Sequence, residues 1–434
     1  MNGERVGTWS RSAAGVDVLE YEEGWLQSPR SRPLSLTLPF LPGNEPHRGE
    51  HVGAWFENLL PDTADIRQRL ARRFGVANNP RSLLGEIGRD CVGAVQILPV
   101  DQAPGNVEVL ALESLGTSDV ARILRTVTSD VARLDDPTAD FRISVAGAQE
   151  KTALVEIEGN WYAPRGSTPT THILKLPLGI VGNLRLDFAS SIENEWLCLQ
   201  FLRELGLEVA SADVRTFSDE VSEERALVVK RFDRLWTENP KELIRLPQED
   251  MCQATATKSA NKYESDGGPG ITQVLNILRS GRAPAADIRL FVLAQLAFWL
   301  LAAIDGHAKN FSIFLTRDGY SLTPLYDVMS AWSIIGHGPN TLPMQRARLA
   351  MAIKCKNRHY EIDRITTRHW KCLAEQSAVP FEEMEALVDA VPAAIDRIST
   401  NLPPTFPEHV WLPIVEGARN NAERFTAGIV AEPR

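Results

Sequence analysis

Cysteine is scarce and unpatterned in this chain. Cys91, Cys198, Cys252, Cys355 and Cys372 are scattered over 434 residues without a CxxC pair. That excludes a disulfide-dense secreted scaffold and a four-cysteine zinc site, and it predicts reduced thiols in a cytoplasmic protein. Long apolar runs are also missing. The run from Leu290 to Ile304 contains Gln295 and falls short of the ~20 apolar residues that a membrane span needs. The start, MNGERVGTWSRS, has no apolar core segment, so no secretory signal and no membrane partner is predicted. Positive charge is in deficit: 46 Lys and Arg against 56 Asp and Glu leave a net charge of −10. The chain as a whole is therefore a poor nucleic-acid binder. Arg67, Arg69, Arg72 and Arg73 form a local basic run, which a solvated helix face explains. No internal repeat stands out, and neither a Walker A sequence nor GxGxxG is present at the candidate nucleotide loop. What remains has ordinary soluble composition, 44% hydrophobic and 24% charged, and is long enough for two or three domains.

Along the chain, VGTW, VDVLEY and LSLTLP alternate and predict strands of a small sheet. HVGAWFENLLPDTADIRQRLARRFGV predicts helices on either side of Pro61, with Asp62 or Thr63 starting the second. SLLGEIGRDCVGAVQILPV reads as a short helix and a strand, and residues 112–134 as a helical pair. The polar stretch at 135–140 marks a boundary. RISV, KTALVEI, WYAPRG, THILKLPLG and RALVVKRFDRLW then predict strands, with a helix from about Ser190 to Leu205. From Leu246 the pattern is mostly helical. The divisions are thus 1–135, 136–240 and 241–434: a small α/β N-terminal domain, then an α+β, two-lobed protein-kinase-like fold with a β-rich small lobe and an all-α large lobe.

The chemistry centres on the segment after the apolar run. Asp305 and Asn310 have the Asp-x-x-x-x-Asn spacing of a kinase catalytic loop, and Asp327 closes the next hairpin. In that pattern Asp305 accepts or orients the proton of the attacking hydroxyl. Asn310 and Asp327 offer hard oxygens to Mg²⁺, which commonly takes one or two carboxylates and completes its shell with phosphate and water. Capping of a helix end would explain Asp305 and Asn310 equally well in isolation. The other kinase parts precede them in order. Val145 to Thr152, with Ala146, Gly147, Ala148, Gln149 and Lys151, is a loop of small residues that could approach phosphate oxygens of ATP; a plain hairpin turn is the alternative. Lys175 lies in an apolar strand, an unusual place for an unpaired Lys. Glu195, on the following helix, is the carboxylate chosen to orient it, with Glu193 turned elsewhere. Lys230 and Phe232 fall where a kinase places its adenine-binding linker. His307 could support Asp305 or contact phosphate, and Lys309 could neutralise charge on the transferred group. For Phe232 and His307 a structural role is the competing explanation.

These segments also resemble the HipA family of bacterial toxin kinases. RISVAGAQEKTAL, TTHILKLP, NEWLCL, RFDR, RLPQEDMCQ, KYESDGGPGI, DGHAKNFSIF and LTPLYDV are similar to its signature segments, and PLSLTLPF, FENLLPD and LGEIGRDCVGAV to its N-terminal domain. The resemblance implies a Ser/Thr protein kinase that uses ATP and Mg²⁺ and acts as a toxin. It implies a HipB-like helix-turn-helix antitoxin, contacts with operator DNA mainly through that antitoxin, and glutamyl-tRNA synthetase as target. It also implies autophosphorylation on Ser144 as an off switch, since a phosphate there adds about −1.5 to −2 charge beside the loop for the ATP phosphates. One departure is Lys230, where the family often carries Glu. A small-molecule phosphotransferase and a catalytically silent co-repressor are the competing functions; the presence of every expected catalytic side chain argues against the second.

Overall fold

Alternation and capping fix the N-terminal elements. Leu19 and Tyr21 bury one side of the strand Asp17–Tyr21 and Val18 is buried on the other; the strand pairs antiparallel with Gly7–Arg11 and with His47–Arg48. Three helices follow, Glu50–Glu57, Ala64–Phe74 and Pro80–Ile87. The third opens with Pro80, and the Asn79 side chain accepts the Ser82 N–H at 3.0 Å, which satisfies an orphan donor of the first turn. The second stops at Gly75, whose φ of +65° suits glycine at a helix C-terminus. Trp25, Leu38, Trp55, Phe56, Leu83 and Leu84 form the core of this part. The computed structural model describes residues 1–104, 109–127, 146–147, 149–238 and 242–431. Two local expectations fail here. Residues 33–40 alternate like a strand but form a turn, with Leu38 N–H donating to Ser35 C=O at 3.1 Å. The Tyr21 hydroxyl holds that turn by accepting the Leu34 N–H and donating to the Leu38 carbonyl. Residues 94–100, expected as a strand, form none.

Described residues divide into two compact units. The first comprises Met1–Leu176, Asp213–Asn261 and Ser312–Tyr320; the second comprises Pro177–Ala212, Lys262–Phe311 and Ser321–Arg434. The first unit holds a six-stranded sheet in the order Ala212–Ser218, Glu223–Lys230, His172–Lys175, Lys151–Ile157, Asn160–Pro164 and Leu112–Leu115. Residues 112–115 are thus an edge strand rather than part of a helical pair. The helix Thr117–Val127 packs Val120, Ile123 and Leu124 against Leu154, Leu174 and Val228 of the sheet. The boundary stretch 135–140 lies outside the described residues.

A buried charge cluster also belongs to this unit. The Arg231 guanidinium donates to Asp233 at 2.7 Å, to the Cys91 carbonyl at 2.8 Å and to the Thr170 hydroxyl at 2.9 Å. Arg234 and Arg245 reach Asp90 at 2.9 and 2.7 Å. Burial alone would raise the Asp90 carboxyl, but Arg234, Arg245, Arg231 and the Thr170 hydroxyl hold it well below the usual carboxylate range.

The second unit is largely helical. Its central helix, Pro284–Leu300, is buried on nearly all sides. It ends before the apolar run does. The Ala303 N–H donates to the Phe298 carbonyl at 2.7 Å and Ala302 N–H to Trp299 at 3.1 Å, with Ala302 at φ +48°. This is a Schellman cap built on Ala rather than Gly, so it costs roughly 1 kcal/mol and carries no stop signal in the sequence. An unexpected hairpin, Arg348–Lys354 with Arg358–Glu361, lies among the helices. It corrects the cysteine expectation too. Cys355 after the first strand and Cys372 in the helix Thr367–Ser377 form a disulfide with a Cα–Cα distance of 5.6 Å. Their 17-residue separation gave no CxxC signal; packing of hairpin on helix brings them together. Cys91, Cys198 and Cys252 are free and buried.

The charge cluster generates a stability prediction. Replacing Asp90 with Asn leaves Arg245 without its carboxylate and Arg234 with Asp233 alone, and is expected to cost about 3–5 kcal/mol in urea unfolding at neutral pH. Because the folded carboxyl is depressed, its contribution is full above the unfolded value near pH 4 and drains away as the pH falls below it. Unfolding measured from pH 6 down to pH 3 should therefore show the difference between parent and variant shrinking.

Candidate active site

The catalytic-loop residues lie together in the second unit. Beyond the Schellman cap the chain turns tightly, with His307 N–H donating to the Asp305 carbonyl at 2.8 Å. Gly306 is required there, since a Cβ would sit 2.5 Å from the Phe298 ring. A single helical turn, Ala308–Asn310, follows. The Asn310 side chain caps this turn: its Oδ1 accepts the His307 N–H at 3.2 Å. Its Nδ2 donates to the Asp327 carbonyl at 3.2 Å. Asn310 and Asp327, 17 positions apart in sequence, are therefore in direct contact.

Asp327 itself has φ +58°, a left-handed conformation that Asp tolerates better than most residues but still unusual. Strain of this kind persists where surrounding bonds over-determine the backbone. Asn194 supplies such bonds. Its side chain donates to the Ser330 carbonyl and accepts the Ser330 N–H, both at 2.8 Å. On the other side, Ala210 N–H donates to Leu325 C=O at 2.8 Å and Leu325 N–H to Glu208 C=O at 2.9 Å. The Tyr326 hydroxyl donates to the Lys309 carbonyl at 2.7 Å, which closes the hairpin onto the loop. Asn194, Tyr326 and Gly306 are positioning residues that sequence reasoning missed. Asn194 sits between the two glutamates that drew attention, and only its fold partner reveals its role.

The Asp305 side chain is 47% exposed, whereas His307 is buried with its Nε2 3.8 Å from Asp305 Oδ1. Lys309 and Asn310 are also buried. Asp305 thus faces solvent as a proton acceptor should, with His307 behind it. A divalent cation fits the donor set. Asn310 Oδ1 has spent one of its two acceptor positions, and Asp327, whose carbonyl meets the Asn310 amide, is half-buried. Among the described residues no group of three His, Cys, Asp or Glu side chains could hold a metal ion by itself. One carboxylate and one amide suit Mg²⁺, which arrives with phosphate and water ligands, and do not suit a structural zinc ion.

The remaining candidates divide between the units. In the first, Lys151 and Lys175 are directly opposed on adjacent antiparallel strands, and Lys175 is only 6% exposed. Gly147 is left-handed at φ +112°, with the Lys151 ammonium where its Cβ would be. Its carbonyl accepts the Asp62 N–H at 3.0 Å, and the Gln149 amide donates to the Leu176 carbonyl at 2.5 Å. Ala146 is half-buried; Ala148 and Ser144 lie outside the described residues. Lys230 is exposed at the end of its strand, opposite His172. Phe232 packs edge-on to Phe314 at 5.9 Å, while its neighbours Arg231, Asp233 and Arg234 are consumed by the buried charge cluster. In the second unit Glu195 and Glu193 are both buried on the helix Ser191–Glu204, so burial does not single out one of them.

Comparison with known proteins gives the family. A family model for the HipA N-terminal domain matches residues 1–98, and one for the HipA-like C-terminal domain matches residues 143–398. A Sinorhizobium fredii protein described as a kinase, Y4mE, is 31% identical over 92% of this chain and 90% of its own length. The serine/threonine-protein kinase toxin HipA of Shewanella oneidensis is 26% identical over 74% of this chain and 71% of its own. A solved complex of Shewanella oneidensis HipA with HipB and operator DNA contains a chain of the same fold, with a TM-score of 0.78 and 23% identity, covering 98% of this chain and 96% of that one.

If Asn310 is a cation ligand, Asn310→Ala should weaken Mn²⁺ binding about 10-fold or more. Electron paramagnetic resonance of Mn²⁺ titrated into the protein with a non-hydrolysable ATP analogue measures it. Unchanged affinity would remove Asn310 from the ligand set.

Proposed function

The chain belongs to the HipA family of kinase toxins, and from that premise we propose that it transfers the γ-phosphoryl group of ATP to a serine or threonine hydroxyl of a protein target. The observation that carries this reading is the contact of Asn310 with Asp327 beside a solvent-facing Asp305. Asp305 is the group that accepts or orients the proton of the acceptor hydroxyl. Asn310 and Asp327 would hold Mg²⁺, which supplies neutralisation of phosphate charge when bound. Lys175 and Lys151 bind phosphate oxygens, together with backbone N–H groups of the loop 146–149, and Lys309 adds positive charge at the transferred group. His307 backs Asp305. Glu195 orients Lys175, and the chain around Lys230 and Phe232 receives the adenine.

At the level of partners, the protein is the toxin of a HipBA-type module. A HipB-like helix-turn-helix antitoxin binds it, the N-terminal region 1–135 provides the antitoxin contact, and operator DNA is engaged mainly through that antitoxin. Residues 136–240 serve as the nucleotide-binding lobe and 241–434 as the catalytic lobe. Glutamyl-tRNA synthetase is the proposed substrate, whose modification would arrest translation and growth in the cytoplasm. Phosphorylation of Ser144 turns the enzyme off by placing negative charge beside the phosphate loop. No helix among the described residues is long and apolar enough to cross a membrane.

The test is phosphate transfer from labelled ATP to purified glutamyl-tRNA synthetase. Label is expected on the synthetase and, more slowly, on Ser144. Asp305→Asn should lower the rate by about 100- to 10,000-fold, the range a positioned proton acceptor contributes. It should also abolish growth arrest on induction. Absence of label on the synthetase, on lysate proteins and on the chain itself would overturn the kinase reading.

A further inference from the structure

Resting on the kinase reading above, we propose that Tyr263 is a positioning residue for Asp305. Its hydroxyl donates to Asp305 Oδ1. The contact at 3.8 Å from His307 Nε2 falls on the same oxygen. Among the described residues, both contacts therefore gather on Oδ1 and leave Oδ2 for the proton of the acceptor hydroxyl. An aspartate carboxylate otherwise turns about two torsions, and proton transfer depends on holding the acceptor oxygen within hydrogen-bond reach of the reacting hydroxyl.

Tyr263 is itself well fixed. Its ring meets the His307 ring edge-on, with centroids 5.0 Å apart and planes at 87°. Its carbonyl accepts the Asp266 N–H at 3.0 Å and the Gly268 N–H at 2.9 Å, closing a turn in which Gly267 takes φ +93°. The preceding Lys262 carbonyl accepts the Ala308 N–H at 3.3 Å, so the turn is tied to the catalytic loop by backbone as well as by side chain. The following Glu264 anchors the turn from the other side. Its carboxylate accepts the Ala352 N–H at 2.7 Å and lies 3.4 Å from Arg358 on the hairpin. A Cβ on Gly270 would stand 2.3 Å from that carboxylate, so glycine closes the segment. The KYESDGGPG stretch, which the ATP and metal assignments leave unused, is thereby a brace that delivers one hydroxyl to the catalytic carboxylate.

The phenol adds little to folding, because a hydrogen bond to a carboxylate that is 47% exposed exchanges with water at small cost. Its value is orientation, and that separates the proposal from a structural role. The experiment compares Tyr263→Phe with the parent, using the full chain, ATP, Mg²⁺ and glutamyl-tRNA synthetase, or transfer to the chain itself if the synthetase takes no label. The expected result is kcat lowered about 10- to 100-fold, with KM for ATP within about two-fold and the urea midpoint unchanged. A variant whose kcat matches the parent overturns the positioning role alone. So does a joint fall of kcat, ATP affinity and urea midpoint, which would mark Tyr263 as structural. A parent that transfers no phosphate to either acceptor brings down the kinase reading and this role with it.

Discussion

Five buried charges set a condition that the first unit must satisfy before anything else. Asp90, Arg231, Asp233, Arg234 and Arg245 are all 8% exposed or less, and isolated ions at that depth would each cost several kcal/mol. They persist because every carboxylate meets more than one guanidinium, and because carbonyls of Cys91, Gly93 and Ser167 accept further N–H groups. Residues 90–93, 231–234 and 245 must therefore fold together or not at all. The consequence reaches the six-stranded sheet. The strand carrying Lys230 enters this cluster directly, and the strand carrying Lys175 pairs with it in register. The N-terminal segment also grips the loop near Lys151, through Asp62 on Gly147 and Arg69 on Glu150. The N-terminal segment is thus linked to the start of the strand carrying Lys151 by a short path of charged and backbone contacts.

The catalytic loop is organised by different means. Side-chain amides and backbone groups, not ion pairs, fix its shape. Asn310 bridges the His307 N–H and the Asp327 carbonyl, Asn194 clamps Ser330, and Tyr326 holds Lys309. These bonds maintain two left-handed residues that are not glycine, Ala302 before the loop and Asp327 after it. Unfavourable backbone torsions at both ends of a short segment are the cost of leaving one carboxylate at solvent and bringing the Asp327 carbonyl onto the Asn310 amide.

Much of this was legible in the chain. The Asp-x-x-x-x-Asn spacing singled out Asp305 and Asn310, and an ordered series of weak signals placed Lys151 and Lys175 on strands; the strand expected to reach Asp327 ends at Leu322. RFDR was legible only as a segment near the adenine linker. Its three charged residues serve a buried network whose other members lie more than 100 positions away or beyond the intervening strands, and such separations leave no local pattern. The alternation in 33–40 misled for the same reason, since Tyr21 captures that stretch as a turn. The cysteine spacing misled as well, because proximity of Cys355 and Cys372 is a property of the hairpin against its helix.

The sequence by itself determined which groups are available and in what order they arrive, because residue type and spacing limit the chemistry and the local elements. It also determined the central helix Pro284–Leu300, because an apolar run of that length has to be buried. Only the tertiary structure decided which side chains meet: Asn310 with Asp327, Tyr263 with Asp305, and Asp90 with three arginines. Those contacts join residues far apart in the chain. They are selected by the requirement that every buried polar group find a partner, which is a condition on the whole fold and is written in no single segment.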